Sequence, residues 1–324
     1  MKKILLGATI VVGVTVLAVM PTMAIINEKI ELQNDKVGLA MSPMSSARNE
    51  MKKPGSSYSG RFRLRQTGKE TNEVFVSIAP YSIVDDGENY DRKDYDSQNA
   101  YTKITGWVSL ELEEGCEVNR REEGKIYLTM RSKEECYIKY SVEVPADAYG
   151  GSQHASILAQ TVPSVQDMEG SGIINSYRIG YFLAADIDGP GAKTEGKVVE
   201  ITIPQMLFTP PVRSSILVKN TGSLDFDVNY KMTVKNFFGE KEAYSKENKV
   251  IVLAETSRRI SDEWEGSPRL GLFRVTEEVT LLGETTTLTK VVLVVPLALL
   301  VVLIAVIVLL ALWIYVKVKK ARRK

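Results

Sequence analysis

Residues 224–234 read LDFDVNYKMTV, in which Leu224, Phe226, Val228, Tyr230, Met232 and Val234 alternate with Asp225, Asp227, Asn229, Lys231 and Thr233. A period of two sustained this long predicts a strand with one apolar and one wet face. Asn220-Thr221-Gly222 supplies the turn that feeds it. The pattern recurs on both sides. Tyr58, Gly60, Phe62 and Leu64 alternate with Ser59, Arg61, Arg63 and Arg65, after a Pro54-Gly55 turn. Similar runs cover Val74–Ile78, Val108–Leu112, Ile126–Met130, Ile138–Val144, His154–Gln160 and Ile173–Ile187. DGPGAKTEGK (188–197), rich in glycine and charge, suits a linker. Beyond it, strands resume at Val199–Ile203, Ile216–Val218, Val250–Leu253 and Leu270–Thr280. No stretch between 25 and 290 keeps a helical apolar period over several turns. The expectation is an all-β chain with two tandem β-sandwiches, residues 25–189 and 190–289.

The ends of the chain have another composition. Residues 291–316, VVLVVPLALLVVLIAVIVLLALWIYV, carry no charge and are bracketed by Lys290 and Lys317. About 20 helical residues cross a bilayer core, so this run predicts a transmembrane helix. Trp313 and Tyr315 sit where amphipathic rings prefer the headgroup layer, and the basic tail 317–324 predicts a cytoplasmic C-terminus. Lys2 and Lys3, the uncharged run Ile4–Met20 and small residues up to Ala24 read as a signal peptide, 1–24. An uncleaved anchor is the alternative. The expected localisation is the cell membrane, single-pass, with the N-terminal part extracellular. No Leu-Pro-x-Thr-Gly sorting motif precedes the helix, so the helix itself is the expected anchor. All 40 acidic residues but 33 of the 41 basic ones lie between 25 and 290, leaving that part acidic. An acidic exported region argues against nucleic acid as a partner.

Four segments carry a family resemblance: APYSIVDD (79–86), YTKITGWVSLE (101–111), YSVEVPADAYGGSQHASILAQT (140–161) and IINSYRIGYFLAADIDG (173–189). They resemble the first domain of WxL-interacting proteins, over roughly residues 37–189, and VPADAYGGSQHASI is the most specific piece. The resemblance implies two immunoglobulin-like sandwiches, a signal peptide and a C-terminal membrane helix in a Gram-positive-type envelope. It also implies that the first domain contacts peptidoglycan and the second contacts other proteins. It carries no catalytic residues to this chain.

The residues themselves give little for catalysis. The single histidine, His154, excludes a two-histidine metal site. No His-Glu-x-x-His, Cys-x-x-Cys or Gly-x-Ser-x-Gly motif occurs. Gly191–Val198 departs from a phosphate loop, because Val198 stands where Ser or Thr should hold Mg²⁺ and a strand follows. A carboxylate pair of glycosidase type is not legible from sequence. The expectation is a binding protein, not an enzyme, with no cofactor and no metal site.

Two stretches stand out as surfaces. Between Ser82 and Thr105, acidic residues Asp85, Asp86, Glu88, Asp91, Asp94 and Asp96 interleave with Tyr90, Tyr95 and Tyr101. The carboxylates could hold calcium, the tyrosines could stack on sugar rings, or the loop is a solvated connection. Tyr149-Gly150-Gly151 adds a stacking face beside glycines that let backbone approach a ligand, or merely a tight turn. Cys116 and Cys136, the two cysteines, are both in the exported part and are expected to pair. If residues 120–124 turn a hairpin, an intervening strand would hold them ~9.6 Å apart, beyond the ~7 Å a disulfide allows. The reading is a membrane-anchored scaffold that contacts cell-wall polymer and envelope proteins. The alternative is a chaperone-like assembly factor that adds an edge strand to envelope proteins.

Overall fold

Alternation in the sequence becomes strand after strand. The computed structural model describes residues 38–48, 50–84, 92–113, 115–122, 124–163, 176–239 and 241–321. The signal-peptide stretch and residues 85–91, which include Tyr90, lie outside the described residues. The first unit holds β1 (Leu39–Ser42), β2 (Ser57–Gln66), β3 (Asn72–Pro80), β4 (Ser82–Val84), β5 (Arg92–Asp94), β6 (Val108–Leu112), β7 (Glu117–Glu122), β8 (Lys125–Met130), β9 (Glu135–Glu143), β10 (Gly151–Thr161) and β11 (Arg178–Ile187). One sheet has the order β1-β2-β9-β6 and the other β11-β10-β3-β8-β7, with β4 and β5 a separate hairpin. Their inward residues, among them Phe62, Leu64, Val76, Leu128, Ile138, Ile157 and Leu183, form one core. Phe62 stacks on Tyr181, whose hydroxyl donates to that of Tyr140 at 3.1 Å. After β1 the chain leaves its own sheet and runs as a strap, residues 43–48 and 50–52, along the outer edge of β11. Ser46 N–H donates to Phe182 O, and Lys52 N–H to Asp186 O. The strap covers an edge that would otherwise be open.

Cys116 and Cys136 form a disulfide, with Cα atoms 4.9 Å apart. The expected obstacle is absent for a topological reason. The 120–124 turn does join β7 to β8, but that hairpin lies in the opposite sheet from β9. No strand stands between the cysteines. The bridge fastens the β6–β7 crossing to β9 at the open side of the sandwich.

The second unit holds β12 (Gly196–Thr202), β13 (Met206–Leu207), β14 (Val212–Asn220), β15 (Phe226–Asn236), β16 (Glu242–Val252), β17 (Ser257–Trp264), β18 (Gly271–Leu281) and β19 (Glu284–Val294), followed by helix α1 (Leu297–Ala321). Its sheets are β12-β14-β17 and β13-β19-β18-β15-β16. The fold is therefore two immunoglobulin-like sandwiches and a C-terminal helix long and apolar enough to cross a bilayer. The expected span of 291–316 is corrected at its start. Val291–Val294 complete β19, with Val292 and Val294 in the core, and the helix begins after Pro296. Uniform apolarity concealed the change of period from two to 3.6. Gly283, at φ +84°, makes a tight hairpin with Leu282, so residues 284–289 belong to the sheet.

The core of the second sandwich is split by a polar layer. Inward positions read Val212, Ser214, Ile216 on β14; Ile260, Asp262, Trp264 on β17; and Val275, Glu277, Val279 on β18. One apolar cluster lies on each side of the Ser214–Asp262–Glu277 layer. Ser214 Oγ donates to Glu277 Oε2 at 2.8 Å, while Glu277 Oε1 and Asp262 Oδ2 have no partner among the described residues. Burial outweighs the Ser214 hydrogen bond, and nearby Asp262 adds to it, pushing Glu277 up to about 7 from 4.5. Its proton is bound more tightly in the folded state, so its effect on stability is harmless below pH 4.5 and increasingly adverse as pH rises to about 7. Glu277→Gln removes that loss. It should leave the melting temperature nearly unchanged at pH 4 and raise stability by about 3 kcal/mol at pH 8, at ~1.4 kcal/mol per unit. Parallel melting curves of the two proteins at both pH values check this.

Candidate functional site

Four chain segments meet where the sandwiches join. The strap brings Arg48, β10 brings Ser152 and His154, β11 brings Asp186, and the residue before β15 brings Asp225. Asp225 Oδ2 lies 2.8 Å from Arg48 Nη1 and 2.7 Å from His154 Nε2. Its Oδ1 accepts from Ala254 N–H at 2.7 Å. Arg48 Nη2 donates to Asp186 Oδ1 at 2.6 Å. Ser152 Oγ donates to Asp186 and accepts from Asp225 N–H at 2.8 Å. The side chains of Asp225 and His154 are 1% and 2% exposed. Burial alone would raise the Asp225 carboxyl, but His154, Arg48 and the Ala254 N–H outweigh it and hold it below the ordinary value.

Backbone contacts tighten the same junction. Ser152 N–H donates to Ser223 O, Gly150 N–H to Pro190 O, and Leu224 N–H to Lys193 O. The 188–197 connection is thus fastened to both sandwiches. Gly151, at φ +141°, lies so close to the second sandwich that a Cβ would sit 2.8 Å from Ser223 O. A Cβ on Gly150 would strike the backbone of Gly189.

This relocates most of the sequence-derived surface. Gly150 packs against Gly189 and Ala192 of the connection, and Gly151 against Ser223 of the second unit. Tyr101 belongs to the junction too. Its carbonyl accepts from His154 N–H at 2.7 Å. Burial and a hydrogen bond to Glu255 of the second unit push its phenol up to about 12. Tyr95 is folded back edge-on against Tyr81, and Tyr81 packs on Phe182, which stacks on His154. Tyr149, 71% exposed, remains a free aromatic face. Among the described residues no cluster of three His, Cys, Asp or Glu could hold a metal ion. Sequence reasoning missed Arg48 and Asp225. One sits in an irregular strap, and the other reads as the wet face of a strand.

Two open features border the junction. A cleft of about 260 Å³ is lined by Tyr81, Ile83 and Phe182 from the first sandwich and Ile251, Leu253 and Arg258 from the second. β16, an edge strand of 11 residues, runs into it. Arg258 donates to Ile251 O at 2.6 Å, so the backbone of Ile251 points away from β15. By strand alternation Lys249, Glu247 and Ser245 do the same. On the first sandwich, a polar cavity of about 350 Å³ lies beside Arg48, Glu50, Lys52, Tyr58, Tyr140 and Asp186. Tyr58 Oη and Arg48 Nε have no partner there among the described residues.

No protein-family model matches the chain, and no curated protein does. Among solved structures the chain is similar to the class 5 fimbriae chaperone CfaA, at 10% identity and a TM-score of 0.33, over 79% of this chain and 99% of that one. It is also similar to the E. coli chaperone DraB, at 11% identity and TM-score 0.33, over 79% and 97%. The Pseudomonas aeruginosa CupB2 chaperone gives 11% and 0.31, over 72% and 92%. At these TM-scores the likeness carries no reading of partner or mechanism.

The junction has a measurable consequence. Asp225→Asn leaves Arg48 and His154 facing a neutral group, which should destabilise the protein by ~3 kcal/mol at pH 7. A carboxyl held below its ordinary value stabilises above that value and loses the effect as pH falls through it. The difference between wild type and variant should therefore shrink below pH 3.8. Thermal unfolding of the detergent-solubilised protein across this range checks it.

Proposed function

We propose that this chain is a membrane-anchored envelope protein that binds other envelope proteins, holding an extended partner segment against β16 and into the interdomain cleft. The observation that carries this reading is the outer edge of β16, which pairs with no further strand among the described residues and leads directly to the aromatic wall of Tyr81 and Phe182. Added strands gain main-chain hydrogen bonds along such an edge, and side-chain pockets supply selectivity. Lys246, Glu247 and Lys249 and the bulge at Val234/Lys235 guard the edge against indiscriminate pairing. In this reading the Lys290-side sandwich stands on the outer membrane surface, and the basic tail lies in the cytoplasm. The resemblance of residues 37–189 to WxL-interacting proteins supports a Gram-positive-type envelope.

A second reading places wall polymer on the first sandwich. The polar cavity beside Tyr58 favours it, because an unpartnered phenol and guanidinium nitrogen over about 350 Å³ suit a hydroxylated ligand. The test of the main reading is a photo-reactive residue at Lys249 in intact cells. A discrete envelope-protein adduct is expected. It should disappear in Glu247→Pro, which removes an outward N–H without touching the β15 ladder, while the melting temperature stays unchanged. An adduct that survives Glu247→Pro contradicts strand addition. Sedimentation of the protein with purified sacculi, abolished by Tyr58→Phe, would instead favour the second reading.

A further inference from the structure

We infer that the helix-side end of the second sandwich docks into the lipid headgroup layer, through the Phe237-Phe238 hairpin tip together with Met206, Phe208 and Leu270. The inference goes beyond partner binding and rests on α1 being a membrane span.

Register places these residues at one end. Asn236 pairs with Phe273, Gly271 with Val294, and Leu207 with Val294 from the other side. The turn after Asn236, the loop ending at Leu270 and the loop starting at Phe208 therefore all lie at the end of the sandwich where β19 stops. Phe237 N–H donates to Leu272 O, and Gly239 N–H closes the turn on Asn236 O. That turn is built on the sheet and presents Phe238 at 92% exposure. Leu270, Met206 and Phe208 are exposed as well. Large apolar side chains clustered at one end of a domain mark an interaction site.

The occupant follows from the connection to α1. Val295 N–H still bonds to Leu207 O of the sheet, and Pro296 O already accepts the first helical bonds from Leu299 and Leu300. No residue free of both separates the sandwich from the helix. The apolar run Leu297–Tyr315 is 19 residues, about the thickness of the hydrocarbon core, so Leu297 must sit at the core boundary. A headgroup layer is only ~5–7 Å deep per leaflet. Leu270 and Phe208 lie level with the β19–helix junction, and the Phe238 tip lies two strand spacings, ~10 Å, to the side. The end of the sandwich cannot stand clear of the membrane. Exposed charges there are mixed, Lys241 and Arg269 against Glu242 and Glu265. Apolar insertion, not attraction to anionic lipid, makes the contact.

The test uses the full chain in lipid nanodiscs, with a benzophenone amino acid at Phe238, at Leu270, at Leu299 in the helix, or at Tyr149. Tyr149 lies at the opposite end of the second sandwich, beside Gly191. Lipid adducts are expected at 238, 270 and 299 and are expected to be lost at 149. Phosphatidylcholine alone should give the same yield as a mixture with phosphatidylglycerol. Lipid adducts at 299 without any at 238 and 270 would overturn the docking. Adducts at 238 to a second copy of the chain would overturn it in favour of self-association. No lipid adduct at 299 would remove the span and the inference with it.

Discussion

The carboxylate of Asp225, buried between two sandwiches, is the constraint on which the rest of the structure depends. A charge taken out of water needs an opposite charge and hydrogen bonds for its remaining lone pairs. Here Arg48, His154 and the Ala254 N–H provide them, from a strap, a central strand and a turn. Each donor is placed by a different part of the fold. The strap must leave β1 and follow β11 for Arg48 to arrive, and the Gly150-Gly151 turn must be bare of side chains for Ser152 and His154 to approach. A small shift of one sandwich against the other would strand a buried charge. The junction is thereby specified as one geometry.

That geometry has consequences in both directions along the molecule. Outward, it fixes the width of the cleft between Tyr81 and Phe182 on one side and Ile251 and Leu253 on the other. The edge of β16 then leads into a cleft of constant shape, which in the proposed reading lowers the ordering cost for an extended partner segment. Toward α1, the β-ladder of β18 and β19 carries the same rigidity to Val294, one residue short of the helical hydrogen bonds. In the proposed membrane-anchored reading, orientation with respect to a bilayer is then set by the fold. The Cys116–Cys136 bridge acts elsewhere, closing the far side of the first sandwich where β6 crosses to β7.

The strands were legible wherever one face meets a core and the other meets water. Phe226, Val228, Tyr230, Met232 and Val234 are buried in the order their spacing implies. The rule failed where a second surface covers the polar face. Asp225 has the spacing of a solvent residue, yet the other sandwich lies over it. Charged β7 and β17 escaped notice because edge strands need no apolar alternation. Threonine-rich β19 was concealed by its run into the helix. At Gly150-Gly151 the close neighbours are Gly189, Ala192 and Ser223, and glycine spacing is silent on whether a ligand or a neighbouring domain comes near. Tyr101 is of the same kind: its amphipathic ring serves a junction as well as it would serve a sugar.

The most direct measurement is the distance distribution between nitroxides at Ser109→Cys on the first sandwich and Ser245→Cys on the second, read by pulsed electron paramagnetic resonance on the protein in nanodiscs. Both sites are exposed, and the native cysteines are paired. A junction fixed by Asp225 predicts one narrow distance in the wild-type background and a broad distribution when Asp225→Ala is added. A broad distribution in the wild-type background, or one that Asp225→Ala leaves narrow, would contradict the account.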